Sequence, residues 1–344
     1  MHIPDGYLSP QTCLVMGTAM LPIWYKASRK VKEALNTRYV PLMVIGAAFS
    51  FVIMMFNIPV PDGTTAHAVG GAILSIILGP WAACICITIA LAIQALFFGD
   101  GGIWALAANC FNMAFILPMS SFYAYRFIAG NSAISSKRRF IGSLMGGFIG
   151  INLAALFTAI EFGVQPLLFH AADGTPLYSP YPLGMAIAMM AFAHLIVAGP
   201  LEGVVTAFAV RFLHANNPSL LEITGHANSP VNYRKLWWGV AAMILLSPLG
   251  LLANGVAWGE WGLDEMASRI GYIPEGMARF AESWHAFAPD YGFAGMAGGF
   301  WQSSVGYVLA AVVGVVLIAV ITYMFGRLAM SNKRKLESGG LDIK

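Results

Sequence analysis

The apolar positions of this chain fall in long unbroken runs, not in the stripes of a water-facing helix or the alternation of a half-buried strand. Runs close to the roughly 20 residues that cross a bilayer extend from about Leu8 to Ala27, Val40 to Phe56, Pro80 to Phe98, Ile103 to Tyr123, Phe140 to Ile160, Leu183 to Val210, Leu236 to Leu252 and Val305 to Phe325. A shorter run, Ala68 to Gly79, reads as one arm of a hairpin turning at Gly79 and Pro80. The pattern predicts an all-α polytopic membrane protein of about nine transmembrane helices. Backbone facing lipid must satisfy its own hydrogen bonds, and no alternating strand-like segments occur, so a β-barrel is excluded.

Composition sharpens this picture: 58% of the residues are hydrophobic and 10% charged, against about a quarter charged in soluble domains. The few basic residues cluster after alternate spans, as cytoplasmic loops do. Lys26, Arg29, Lys30, Lys32 and Arg38 form one group, Arg126, Lys137, Arg138 and Arg139 a second, Arg211, Arg234 and Lys235 a third, and Arg327, Lys333, Arg334 and Lys335 a fourth. Threading the spans puts these groups on one side, with only Arg269 and Arg279 opposite. The N-terminus, the Ile58 to Ala66 loop, the Gly99 to Gly102 turn and the Glu161 to Pro182 loop then face outward, and the C-terminus is cytoplasmic. No basic residue precedes the first run, so no cleavable signal peptide is expected, and the bulk of His2 argues that Met1 is retained. Cys13, Cys84, Cys86 and Cys110 lie within apolar runs and read as small core side chains.

Residues 1–213 are expected to form a unit of about seven spans, 214–235 a cytoplasmic linker with Pro218 and Pro230, and 236–344 a two-span accessory region. The extracytoplasmic segment of that region, about 254–304, carries Trp258, Trp261, Trp284 and Trp301. It suits a segment lying on the membrane surface or packed over the first unit.

The candidate chemistry is at the outer ends. The chain opens Met1-His2-Ile3-Pro4-Asp5-Gly6, and a similar turn, Pro61-Asp62-Gly63, precedes His67 on the same predicted side. With a free N-terminus, the α-amine, the His2 amide nitrogen and the His2 imidazole can close two fused chelate rings on one cation. A nitrogen from His67 would complete a flat set of four, which points to Ni(II) or Cu(II) and away from tetrahedral zinc. Because the amide must lose its proton, binding should weaken in acid.

The opening decapeptide to Pro10, the Asn57 to Gly71 segment ending His67-Ala68-Val69-Gly70-Gly71, and the run Gln94 to Gly102 continuing through Asn109 to Met113 resemble the CbiM/NikM family. Its members are substrate-binding components of energy-coupling-factor transporters for cobalt and nickel. The resemblance covers about the first 215 residues. It implies that Met1, His2 and His67 bind the metal, that Ni2+ or Co2+ is transported substrate, and that a membrane scaffold (T component) and two ATPase subunits are partners. It also implies the prokaryotic cell membrane as location. Residues 248–252, 257–261 and 289–291 look like the accessory component often fused to such subunits, although its usual Pro-Asp-Gly-Leu-Glu motif is not intact.

Ionisable residues at membrane depth are functional candidates by default. Glu202 follows the Gly199-Pro200 break, where it could act in function or satisfy freed backbone groups, and His194 lies about two turns earlier. Gln94 and Asn109 could orient the metal loop or bond between helices, and Asp62 and Asp100 could support the site or cap their own turns. No phosphate-binding loop for ATP is present, nor an H-E-x-x-H metalloenzyme motif, and neither an organic cofactor nor a nucleic-acid partner is expected. An autonomous secondary carrier, which favours inverted repeats and a midplane site, is the alternative. The sequence leaves nickel and cobalt both open.

Overall fold

The computed structural model describes residues 1–34, 39–221, 231–281, 283–296 and 298–339, with side chains to residue 329. The centre of the expected linker, including His226 and Pro230, lies outside the described residues, as do Arg38 and the side chains of Lys333, Arg334 and Lys335.

Eleven helical rods order the described residues: α1 (Pro10–Ala34), α2 (Tyr39–Met54), α3 (Gly71–Leu78), α4 (Pro80–Phe98), α5 (106–129), α6 (Lys137–Leu168), α7 (Leu183–Asn216), α8 (Tyr233–Leu252), α9 (Leu263–Ile270), α10 (Glu275–Ala281) and α11 (Phe300–Gly339). Two short strands, β1 (Ile58–Pro59) and β2 (Thr65–Ala66), pair antiparallel between α2 and α3. Five rods are long and apolar enough to cross a membrane: α4, α6, α7, α8 and α11 through Ala329. The first apolar run lies in α1, a helix of 25 residues with Pro22 inside it, and the others are shorter or interrupted. The α2 helix has 16 residues, and α5 is broken into Leu106–Asn109, a π-helical stretch Cys110–Ile116 and Leu117–Ala129.

The irregular turns have local causes. Pro118 follows the π stretch of α5, and Pro200 follows a π turn, His194–Ala198, within α7. A proline lacks the N–H for the preceding turn, and a widened turn accommodates the loss. Serine and asparagine start two of the long rods: Ser136 Oγ accepts from the Arg139 N–H, and Asn232 Oδ1 from the Lys235 N–H.

Packing follows from side-chain size. The α6 helix runs against both α5 and α7. At its crossing with α7, a Cβ on Gly147 would lie 2.8 Å from the Glu202 carbonyl oxygen, and one on Gly203 would lie 2.5 Å from that of Leu144. Only glycine permits so close a backbone approach, the packing mode of helices in lipid, where small residues replace hydrophobic drive. The α2 helix is apolar all round and packs on α4, α8 and α11.

The loops gather at the two ends of this bundle. At one end Arg139 donates to the Ser132 and Leu221 carbonyls and the Tyr125 hydroxyl, tying the basic turns together. At the other end the segment after α8 folds over the first region. There Thr65 N–H donates to the Val256 carbonyl, Ala288 N–H to that of Phe97, Met277 N–H to that of Leu177, and the Tyr7 hydroxyl to that of Trp261. Of the two arrangements expected for the tryptophan-bearing segment, packing over the first unit is the one observed.

Candidate metal centre

The first residues enter the bundle end as a buried segment; Met1, His2 and Ile3 are 6%, 1% and 0% exposed. Asn109, on α5, clamps Ile3 by accepting its N–H at 2.7 Å and donating to its carbonyl at 3.1 Å, while Gly102 N–H donates to the same carbonyl. Asp5 closes the turn by accepting from the N–H groups of Ile103, Trp104 and Ala105. A Cβ on Gly102 would lie 2.2 Å from the Asp5 carboxylate, so the glycine permits this contact. These bonds fix where the N-terminal nitrogens point.

The His67 loop is held as firmly. Glu202 Oε2 accepts from Val69 and Gly70 N–H, and Oε1 from Ala72 N–H. Those groups begin α3, where the first amides lack intrahelical partners. Glu202 therefore caps a helix on whose threshold His67 stands. The His67 Nδ1 lies 3.1 Å from the Ala68 carbonyl. A carbonyl only accepts, so Nδ1 carries the proton and Nε2 keeps its lone pair.

The rings of His2 and His67 meet edge to face, centroids 5.1 Å apart. Met1 and His67 line one small cavity with His194, Met190 and Trp258. His2 Nδ1 lies 2.6 Å from Asp100 Oδ1, and its Nε2 is buried without a hydrogen-bond partner. Asp100 is itself fixed: its Oδ2 accepts from the Tyr291 hydroxyl at 2.5 Å and from Gln94 Nε2 at 3.3 Å. Glu260 Oε1 accepts from both the Met1 amine and the His2 amide N–H, at 2.8 Å each.

The electrostatics divide the two histidines. Burial pushes His67 down to about 3, helped by the charge of His2, so its ring is neutral. Burial also opposes charge on His2, but the Asp100 carboxylate beside it outweighs that and raises its pKa above 6.5. Burial acts against Asp100 too, yet the His2 ring holds it well below the carboxylate range.

Met1, His2 and His67 thus come together, with Asn109 behind the N-terminal segment, Gln94 behind Asp100 and Glu202 behind the His67 loop. Asp62 does not join them; it accepts from Thr64 N–H and Oγ1 and caps its own turn. Asp100, expected either to support the site or to cap its own turn, lies beside His2, whereas Tyr291 and Glu260 are neighbours that sequence reasoning did not assign to the centre. The one signal for Glu260 was its place as an acid between Trp258 and Trp261 in an outward segment. Among the described residues no group of three or more His, Cys, Asp and Glu side chains is arranged to hold a metal ion. A site here would have to draw on backbone and terminal nitrogens.

The fold is thus a bundle of apolar helices with a nitrogen-rich centre buried under one end, the architecture of a membrane protein. Residues 2–220 match the family described as "Cobalt uptake substrate-specific transmembrane region", CbiM, and residues 234–331 match the PDGLE domain. The chain belongs to the CbiM family, with a PDGLE domain fused behind it. It is 49% identical over 334 residues to the fused nickel transport protein NikMN of Rhodobacter capsulatus, covering 92% of this chain and 95% of that one. It is 43% identical to the probable fused nickel transport protein LarMN of Lactiplantibacillus plantarum, covering 93% and 96%. The crystal structure of a truncated transition metal transporter, 56% identical, superposes with a TM-score of 0.59 over 62% of this chain and 99% of that chain.

Proposed function

We propose that this chain is the substrate-binding membrane subunit of an energy-coupling-factor importer, capturing Ni2+ or Co2+ at the outer face of a prokaryotic cell membrane. The observation that carries the reading is the convergence of the Met1 amine, the His2 amide and imidazole and the His67 ring at one buried place. In this reading the chain crosses the membrane about nine times, with the N-terminus outside and the basic end of the bundle in the cytoplasm. Residues 1–213 form the binding unit, 214–235 the linker and 236–344 the accessory region. Ligand nitrogens come from Met1, His2 and His67, with Asn109, Gln94 and Glu202 as supports. The neutral Nε2 of His67 suits a borderline metal, and a flat set of nitrogens favours nickel. Two long relatives named as nickel transport proteins lean the same way.

Capture requires no chemistry from this chain. A membrane scaffold and two ATPase subunits supply the energy, so the purified chain should bind metal and hydrolyse no ATP. Full-rate uptake into liposomes holding this chain alone, without ATP, would instead favour an autonomous secondary carrier.

The direct test is a melting curve with and without Ni2+ or Co2+. A ligand that binds only the folded form stabilises by about 2.7 kcal/mol at a hundred times its Kd, so the purified chain should show a clear shift. The preparation is first confirmed by intact mass to begin at Met1. His2→Ala, His67→Ala or one residue added before Met1 should each remove the shift, whereas His170→Ala, His214→Ala and His285→Ala keep it. A full shift in the extended or His67→Ala protein would overturn the ligand set.

A further inference from the structure

The nitrogens that a cation must take over at the N-terminal segment each face a carboxylate oxygen. Glu260 Oε1 accepts from the Met1 amine and from the His2 amide N–H, at 2.8 Å each. An N–H bond points where the nitrogen's lone pair points once the proton has gone. The oxygen that accepts both bonds therefore lies on the side from which a cation would bind both nitrogens. A cation about 2 Å from each of them would stand well inside contact distance of an oxygen 2.8 Å from each. Cation and oxygen compete for one place.

The two carboxylates at the centre differ in how they are held. Asp100 is locked by Tyr291, Gln94 and the His2 ring. The Glu260 carboxylate makes no hydrogen bond among the described residues beyond those to Met1 and His2, and it remains 18% exposed. Its backbone, by contrast, is fastened on both sides. Val256 accepts from Thr65, the Trp261 carbonyl from Tyr7, and Trp258 packs on Tyr181 with ring centroids 4.6 Å apart. A Cβ on Gly259 would lie 2.6 Å from the Phe162 ring, so the turn is seated too closely to slide. The side chain can leave while the segment stays.

We propose that Glu260 is a displaceable counter-ligand: its carboxylate holds the Met1 amine and His2 amide in chelating arrangement and gives way to solvent when a transition-metal cation binds. This rests on the reading of Met1 and His2 as ligands. It gives the fused C-terminal region a specific part in capture. That region supplies an anion that keeps the nitrogens aligned and that competes for them when the cation is to be released.

The experiment uses the full chain in detergent and measures the Ni2+ dissociation constant by calorimetry and the release rate by a chelator chase. The proteins are wild type, Glu260→Ala, Glu260→Gln and His2→Ala. Removing the competitor should tighten binding, by roughly tenfold for Glu260→Ala on the scale of a charge-assisted hydrogen bond, and should slow release. Glu260→Gln, which keeps the size and loses the charge, should move both quantities in the same direction, and it decides the matter if Glu260→Ala does not fold. Unchanged or weaker binding in the Glu260 variants, with wild type binding and His2→Ala not, would overturn this inference alone and leave the site standing. Weaker binding with faster release would mean that Glu260 is itself a ligand. Wild type binding no better than His2→Ala would overturn the site and this inference together.

Discussion

In the proposed site, a cation that binds the His2 ring displaces a proton whose hold on that ring the surroundings strengthen. The Asp100 carboxylate raises the pKa of that ring above 6.5, so protons compete with metal already near neutrality, and more strongly as the pH falls. His67, down at about 3, is neutral across the physiological range and adds no such dependence. The affinity for Ni2+ should therefore fall with decreasing pH through the raised His2 pKa, by about tenfold per pH unit for each proton displaced. Calorimetry at pH 6, 7 and 8 in buffers of differing ionisation enthalpy counts those protons. An affinity constant across that range would remove His2 from the ligand set. Met1 and His2 were legible as candidates because they are adjacent, and His67 because a similar turn precedes it on the same predicted side and the family resemblance includes it. The pairing of Met1 with Glu260 joins residues 259 apart and could not be read from spacing.

Among the elements, the short helix α3 shows how a buried carboxylate earns its place. Glu202 reads from sequence as either functional or a satisfier of freed backbone groups. Its three accepted N–H bonds make it the cap of α3, and through α3 it holds the loop that presents His67. Glu202→Ala would leave those amides buried and unpaired, at about 1–3 kcal/mol per group before relaxation. Melting should fall by several degrees, and Ni2+ retention after desalting should drop although no proposed ligand has changed. Normal retention at reduced stability would confine Glu202 to folding. The π turns of α4, α5 and α7 were beyond the reach of hydropathy. Apolar content is the same in a widened turn as in a regular one, and only neighbouring backbone decides which hydrogen bonds can be made.

Across the whole molecule, a chain of aromatic contacts runs from α11 to the centre. A Cβ on Gly314 would lie 2.1 Å from the Phe51 ring. Phe51 meets Phe98 at 5.6 Å and Tyr291 at 6.1 Å, and Phe98 stacks on Tyr291 at 4.9 Å. Tyr291, whose hydroxyl holds Asp100, carries a φ of 59° next to Asp290 at 51°, a left-handed backbone rare for residues other than glycine. Contacts on both sides keep it there. Gly314→Leu should push Phe51 into this stack, costing about 1–3 kcal/mol by overpacking, and should weaken Ni2+ binding several-fold from a position far along the chain. Gly17→Leu, with open space around its Cβ, is the control. Equal Ni2+ affinity in the two variants would show that α11 and the centre are uncoupled.

The sequence by itself determined the solvent of this protein, the helical class, the segregation of basic residues and the nitrogens that could bind a metal. Each of these follows from local quantities: transfer free energy along a run, charge in a loop, and donor atoms on one or two adjacent residues. Tertiary structure alone decided which acids face those nitrogens. It seated the segment after α8 over the first region, brought Glu260 to the Met1 amine and set Tyr291 against Asp100. It also turned Asp62 to its own turn and Glu202 to the α3 backbone. A carboxylate's periodicity and neighbours look alike whether it caps a turn, caps a helix or opposes a cation. Its partner is chosen by which distant backbone packs beside it, because a buried charge is tolerated only where donors converge on it.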